Sequence, residues 1–507
     1  MSYGRPGVYV NETLTAVSEP MVNAPTSNAA GAVVGAFAQG PNTLTKVTSW
    51  FDFVKLFGGY NANYPATFGV GQFFLNGGSD LYVQRVLHSD AAAAAVNIVR
   101  GTGSGTVATV TAKAKGADGN NLRVKLTASA QGGSYFDLVV TKETVSGTAS
   151  DITNDTVLES YNNVVFDAPT SSDYVETVVN FYSAYITVSV LDNVNAPTTA
   201  TSPLTAGSDG TAATASDYTA TVAVDGTSPF DVIARPLVIF APEITKILGE
   251  SNGATVQNAL LAWAATGDGF AVLDVPSGKT PSAAITYASG LTTSAKGAVY
   301  YPSLYVQDPI GRSSSSVRLV GPAGAVAGLY LATDRAYGPY KAPAGLNSGL
   351  TNVVALEKSF TSADLDSLNS ANKPVNAIRN LPGAGFVVMG ARTLKQNGTA
   401  DRYVNMRRSL TYIRNNLKSL TQFAIFENND EILWNSITTT LSVFLNEYRN
   451  AGGLRGGSAP AAYYVKCDSS NNTAQTIANG EVHVEVGVAL EYPTEFVVIN
   501  LSQKTAA

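Results

Sequence analysis

A single cysteine, Cys467, stands in a chain of 507 residues. No internal disulfide can form, and no cysteine cluster can hold a metal. Histidine is nearly as scarce. His88 and His483 lie far apart in the chain, so a histidine-rich site would need a second molecule. Charge is thin as well: Asp, Glu, Lys and Arg make up 14% of the residues, against roughly 25% in an average soluble domain. A chain that commits much of its surface to lasting contacts has less need of charge, although a lightly charged β-rich monomer fits the same figure. The net charge of −6 argues against a nucleic-acid binder, which usually shows a basic surplus. No run approaches the roughly 20 apolar residues of a membrane helix. The longest candidate, Ala29 to Ala38, contains Gly31 and Gly35 and reads as a buried strand. Met1 to Gly7 lacks an apolar signal core, which predicts no secretion by that route.

What is present is ample apolar material, 45% of the chain, and a length that suggests two to four domains. The chain opens with an extended arm. Val8, Tyr9 and Val10 have strand chemistry, but Pro6 precedes them and a polar stretch from Asn11 to Asn28 follows. With no local hairpin partner, such an arm must pair far away or with another molecule. Residues 29–90 alternate strand and helix signals: Ala32–Phe37 a strand, Ser49 a cap for a helix ending at Gly58, Val70–Leu75 a helix, and Leu81–Val86 a strand. Residues 91–228 turn Thr-, Ser- and Gly-rich, with recurring short strands and one helix over Ser172–Tyr182, which predicts an inserted, mostly β domain. The α/β pattern then resumes over 229–390, with strands at Pro236–Phe240, Gly269–Asp274, Ala298–Tyr305 and Gly385–Met389. That alternation predicts a largely parallel or mixed sheet.

Residues 391–492 read as a separate α+β unit. Two helices carry apolar residues at Leu410, Ile413 and Leu417, and at Leu433, Ile437, Leu441 and Tyr448. The strict alternation of Val482, Val484, Val486 and Val488 with polar or small residues predicts a half-buried strand over Glu481–Leu490. Residues 493–507 form a second arm around Phe496, Val497, Val498, Ile499 and Leu501. The expected fold class is multidomain α+β and α/β: a mixed α/β core, a mostly β insert, a C-terminal α+β domain and extended arms at both ends.

Each chemical motif fails on context. Gly249-Glu250-Ser251-Asn252-Gly253 matches a nucleophile elbow, but its strand ends near Phe240 and no oxyanion segment accompanies it. Ser277-Gly278-Lys279-Thr280 ends like a phosphate loop, yet Leu273 stands where the first glycine is required. Gly101 to Gly105 is a flexible junction, because Thr106 fills the last place of the dinucleotide pattern. Arg402, Arg407, Arg408, Arg414 and Lys418 make one helix basic, either a solvated face or a docking face for an acidic partner. Cys467 reads as a small packed residue. No catalytic, cofactor or metal site is expected, and the chain reads as a structural or assembly protein rather than an enzyme.

The order of segments then becomes specific. Arg5-Pro6-Gly7-Val8-Tyr9-Val10 opens it. Gly31 to Gly35, Gly40-Pro41-Asn42, Thr48 to Gly59, Phe73 to Gly78 and Tyr82 to Val86 follow. Leu204 to Gly210, Tyr301 to Leu304, Gly321 to Gly328, Lys341 to Ala344 and Gly390 to Leu394 continue it. Tyr403 to Arg408, Phe426 to Asp430 with Leu433-Trp434, Val465 to Asp468 and Pro493 to Val498 close it. Taken together, these resemble the contractile-tail sheath proteins of bacteriophages, least so in the insert. Ala206 and Tyr463-Tyr464 depart from the family's usual residues.

The resemblance implies hexameric rings stacked helically around a rigid tail tube, with baseplate and tail terminator proteins as further partners. It implies a virion tail assembled in the host cytoplasm, whose contraction drives the tube through the host envelope for genome ejection. It implies no cofactor, no nucleic-acid binding and no membrane insertion. A phage-derived injection particle is the alternative; a serine hydrolase using Ser251 and a capsid or tube subunit are more remote ones. An unpaired strand edge is a template for another chain. Val8, Tyr9, Val10 and Asn11, and Phe496, Val497, Val498, Ile499 and Leu501, are therefore expected to join a neighbour's sheet beside Val482, Val484, Val486 and Val488. Arg402, Arg407, Arg408, Arg414 and Lys418, with the helix from Glu431 to Arg449, are the candidates for tube contact.

Overall fold

The computed structural model describes residues 28–143, 155–313, 315–395 and 400–496. The strand residues expected at Val8, Tyr9, Val10 and Asn11, and those at Val497, Val498, Ile499 and Leu501, lie outside the described residues. The chain divides into two compact units. One takes in the described residues up to 33, residues 68–81, and those from 222 onward; the other holds 34–67 and 82–221.

In chain order the elements begin β1 (Ala30–Gly35), β2 (Thr45–Val47), α1 (Trp50–Phe57), α2 (Ala66–Leu75) and β3 (Leu81–Arg85). The insert contributes β4 (Ala93–Val99), β5 (Thr106–Lys115), β6 (Leu122–Ala128), β7 (Tyr135–Lys142), β8 (Thr156–Val165), α3 (Val175–Tyr182), β9 (Ile186–Val190), β10 (Ala200–Pro203) and α4 (Ala215–Ala220). Then come β11 (Leu237–Phe240), α5 (Ile244–Ile247), α6 (Glu250–Thr266), β12 (Gly269–Asp274), α7 (Pro281–Gly290), β13 (Gly297–Tyr301), β14 (Leu304–Gln307), β15 (Val317–Val320) and α8 (Ala323–Ala336). The remainder is β16 (Val353–Leu356), α9 (Ser362–Ser370), β17 (Val375–Leu381), β18 (Gly385–Val388), α10 (Val404–Leu420), α11 (Glu431–Asn450), α12 (Ala459–Ala462), β19 (Tyr463–Lys466), α13 (Ala474–Ala478) and β20 (Glu485–Val488).

In the first unit, β1 pairs in parallel with β11, β11 with β12, β12 with β13 and β13 with β17; β18 closes the edge antiparallel to β17. The sheet is thus mixed, as the alternation predicted. Its central strands β11, β12 and β13 are buried at every residue, the pattern of strands covered on both faces. The expected strand Ala298–Tyr305 is instead two: β13 ends before Pro302, which has no N–H for a ladder, and β14 pairs antiparallel with β15 and β16. Helix α8 rides close to α2, because a Cβ at Gly324 would meet the Gly69 carbonyl and one at Gly328 the Phe73 carbonyl.

The second unit contains the insert as two antiparallel sheets, β10-β6-β7-β8 and β4-β5-β9. Val107, Val110, Val124, Leu138, Ile186 and Val188 from both sheets share one core, and α3 adds Val175 and Val179. Helix α1 of this unit is capped as its sequence requires: the Ser49 hydroxyl accepts the Asp52 N–H at 3.1 Å. Its inner residues Phe53 and Phe57 meet Phe37 edge-on. Arg85 is buried and satisfied almost wholly by backbone. It donates to the carbonyls of Phe37 and Gly40 at 3.0 Å each and of Lys115 at 2.6 Å, and reaches Asp209 at 3.4 Å. One guanidinium thereby ties the segment around residue 37 to the way into and out of the insert.

Candidate assembly interface

The C-terminal part of the first unit is built on α10 and α11. The Asp430 carboxylate caps α11 by accepting the N–H groups of Ile432 at 3.0 Å and Leu433 at 2.9 Å, and its negative charge suits the helix N-terminus. Leu433, Trp434, Ile437, Leu441, Leu445 and Tyr448 then face inward at helical spacing. Of these, Leu433, Ile437, Leu441, Leu445 and Tyr448 share a core with Met406, Tyr412, Ile413 and Leu417 of α10. Burying such side chains stabilises by roughly 1.5–3 kcal/mol each.

On this core lies a two-stranded sheet, β19 antiparallel to β20, with Val465 opposite Val486 and Tyr463 opposite Val488. Val482, Val484, Val486 and Val488 all pack against the α10–α11 core. The alternation thus identified the inward face correctly, but it overran the strand. The expected strand Glu481–Leu490 is regular only over Glu485–Val488. The reason is side-chain competition for its backbone. Buried Asn472 accepts the His483 N–H at 2.6 Å and donates to the His483 carbonyl at 3.0 Å. Asn429 donates to the Glu481 carbonyl at 2.9 Å while accepting the Trp434 indole N–H at 2.9 Å. Val482 and Val484 therefore sit in a braced extended lead, not in the ladder. Composition alone did not single out Asn429 or Asn472.

Among the described residues no third strand pairs with β19 or β20, so the sheet offers unpaired backbone groups at its edge. Of the expected strand residues in the C-terminal arm only Phe496 is described, and it is 69% exposed.

The basic helix is corrected in part. Arg407 and Arg408 are buried and do not form a free docking face. Arg408 donates both guanidinium nitrogens to Asp334 of α8, at 2.7 and 2.6 Å, and lies over the Tyr330 ring. Arg407 pairs with Asp401 at 3.0 Å, and Arg414 with Asp268. Arg402 is half-buried, stacked over Tyr403 and donating to its hydroxyl at 2.5 Å. Lys418 alone of the five is exposed. These arginines answer acids, buried Asp334 on α8, buried Asp401 just before α10 and half-buried Asp268 before β12, which periodicity in one helix cannot reveal.

The remaining motifs are occupied by structure. Ser251 is an exposed residue in the first turn of α6, not the tip of a strand, since α5 intervenes after β11. His483 Nε2 lies 2.9 Å from Glu481. The Ser277–Thr280 segment meets a carboxylate where a nucleotide would place phosphate: the Gly278 N–H donates to Glu357 at 2.6 Å, and Thr280 caps α7. Burial pushes the Cys467 thiol up to about 11, which makes it inert. Two buried carboxyls, Asp274 at the end of β12 and Glu243 after β11, are both raised, chiefly by burial and for Asp274 also by the charge of Glu243.

Residues 397–504 match the phage tail sheath C-terminal domain family. The tail sheath protein of Vibrio phage KVP40 is 28% identical over 184 residues, 36% of this chain and 26% of that protein. The tail sheath protein of Enterobacteria phage T4 is 28% identical over 165 residues, 32% of this chain and 24% of its own. The chain thus spans about a quarter of the length of these relatives. Two solved structures have the same fold over nearly the whole chain. The sheath tail protein from Listeria innocua superposes with a TM-score of 0.62 at 13% identity, covering 92% of this chain and 96% of its own. The helical sheath of the anti-feeding prophage in its contracted state superposes with a TM-score of 0.57 at 20% identity, covering 99% and 100%. The C-terminal part of this chain therefore matches the tail sheath family, and the fold of nearly the whole chain is that of solved sheath proteins.

Proposed function

We propose that this chain is the sheath subunit of a contractile tail. Copies stack as hexameric rings around a tail tube, end at baseplate and terminator proteins, and shorten to drive the tube through the host envelope for genome ejection. The site of action is the tail of a virion assembled in the host cytoplasm. The observation that carries the reading is the unpaired edge of the β19–β20 sheet in a chain whose last strand-like residues, Phe496 to Leu501, follow it. An edge of this kind accepts a strand through backbone hydrogen bonds and lets alternate side chains set register. Strands donated by neighbours tether the copies while their bodies rearrange.

The energy of contraction is a difference between two sets of interfaces. A gain of only about 1–3 kcal/mol per subunit, the scale of ordinary allosteric coupling, becomes large when summed along a sheath. The tube contact must be weak enough to release. Lys418 and the exposed face of α11, which includes Val443, are the candidates that remain for it.

The test compares the full chain with one ending at Glu495. Negative-stain microscopy of the full chain is expected to show wide hollow polymers, and the shortened chain is expected to stay dispersed with an unchanged melting temperature. Polymers of normal length from the shortened chain would refute strand donation by this arm. A second reading, a sheath of an injection particle without a capsid, is favoured by one observation: the structures matched over 99% of the chain include the anti-feeding prophage sheath and an extracellular contractile injection system. Capsid genes beside the coding sequence would decide for the virion.

A further inference from the structure

Residues 491–496 have neither helix nor strand, yet they are pinned to the body at three points. The Asn405 carboxamide donates to the Glu491 carbonyl at 3.2 Å. The Tyr492 ring meets Tyr403 edge-on at 6.2 Å. The strongest hold is on Glu495: Arg392 Nε donates to its Oε1 at 2.7 Å and a terminal guanidinium nitrogen to its Oε2 at 2.6 Å. Tyr403 adds its hydroxyl at 3.1 Å. The next residue, Phe496, is exposed.

Arg392 is itself fixed at a depth unusual for a surface clamp. Its third guanidinium nitrogen donates to the Asn369 carbonyl at 2.7 Å, at the end of α9. Its own backbone is read by the buried Asn376 of β17, which accepts the Arg392 N–H and donates to the Arg392 carbonyl, both at 2.8 Å. The same carboxamide donates to the Val299 carbonyl of β13 at 3.1 Å. Gly390 makes this possible, because a Cβ there would stand 2.7 Å from the Asn376 oxygen. Burial alone would raise the Glu495 carboxyl, but the hydrogen bonds and charge of Arg392, with Tyr403, outweigh it and hold it below its ordinary value. The pair is ionised at neutral pH, and a bidentate guanidinium–carboxylate pair is directional as well as strong.

We propose that Arg392 and Glu495 are the anchor of the C-terminal arm. They are positioning residues that fix where the arm leaves the body and pass any pull on it into the central sheet through Asn376. This rests on the strand-donation reading above and adds to it a specific root. An arm rooted at one point searches a small volume, so its strand meets a neighbour's edge at a higher effective concentration than a loose tail would.

Three versions of the full-length chain test it: wild type, Glu495→Gln and Glu495→Asp, beside the chain that ends at Glu495. Glu495→Gln keeps shape and loses the charge. Its peptides covering 489–496 are expected to exchange amide hydrogens at least about tenfold faster in the unpolymerised protein, with α10 and α11 unchanged. Its concentration for polymer formation, read by sedimentation, is expected to rise about tenfold or more, and Glu495→Asp is expected to recover part of it. Wild-type exchange and wild-type polymerisation in Glu495→Gln, while the shortened chain fails to polymerise, would overturn the anchor and leave strand donation standing. If the shortened chain polymerises normally, strand donation falls and the anchor's role falls with it. Should Glu495→Gln melt early, the exchange pattern of Glu495→Asp decides in the same way.

Discussion

Arg408 shows how one side chain changes meaning between sequence and structure. In the sequence it is one of five cations on a helix; in the molecule it is 6% exposed and joined to Asp334, 2% exposed, across two helices. Removing one member of a buried pair leaves the other charge unsolvated, which costs about 3–5 kcal/mol. Arg408→Met is therefore expected to lower unfolding stability by that amount in a denaturant titration, before any effect on a partner is measurable. A loss below 1 kcal/mol would mean that the pair is not formed.

The His88 Nδ1 lies 2.8 Å from Asp217, which also closes the capping box of α4. Donation of its N–H to the Asp217 carboxylate raises the imidazole, helped by the charges of Asp217 and Asp90. A group raised on folding stabilises fully below its unfolded value, near 6.5, and that contribution fades as pH climbs through the folded value. The melting temperature of wild type relative to His88→Gln should therefore be higher at pH 5.5 than at pH 8.5. Equal differences at both would remove the pair from consideration.

At the scale of elements, the legible parts were those whose signal is local. Helix α11 was visible in apolar spacing and α1 in a cap and a glycine stop. The parallel strands β11 and β12 stood out as short unbroken apolar runs. Strand β8 went unrecognised because half of its residues, most of them polar, are exposed, an edge strand with no alternation to read. The overrun of β20 had a different cause, since Asn429 and Asn472 lie outside the strand they interrupt. Helix α8 carries a packing rule in its sequence, glycines four apart, but only its placement against α2 shows which backbone they admit. Gly328→Leu is expected to force α8 off α2 at a cost of about 3 kcal/mol, seen as a lowered denaturation midpoint. An unchanged midpoint would show that the two helices do not touch there.

At the scale of the whole molecule, scarce charge is consistent with assembly through backbone pairing and apolar contact. Such contacts are screened little by salt, whereas exposed ion pairs are. Polymer formed by the full chain should therefore persist from 50 mM to 500 mM salt with less than about a threefold change in the concentration needed, measured by sedimentation. A steep loss across that range would assign assembly to ionic contacts instead.

The sequence by itself determined the absences, the helix faces, the inward side of the valine strand and an order of segments that resembles sheath proteins. These depend on composition, on periods of 3.6 and 2, and on residues close together in the chain. Only the tertiary structure decided which arginines were already taken, where β20 ends, and how Glu495 is held. Arg408 with Asp334, Arg414 with Asp268, Asn429 with Glu481 and Arg392 with Glu495 are pairs dozens to hundreds of residues apart, brought within hydrogen-bond distance by folding, and no short window along the chain contains both halves of such a pair.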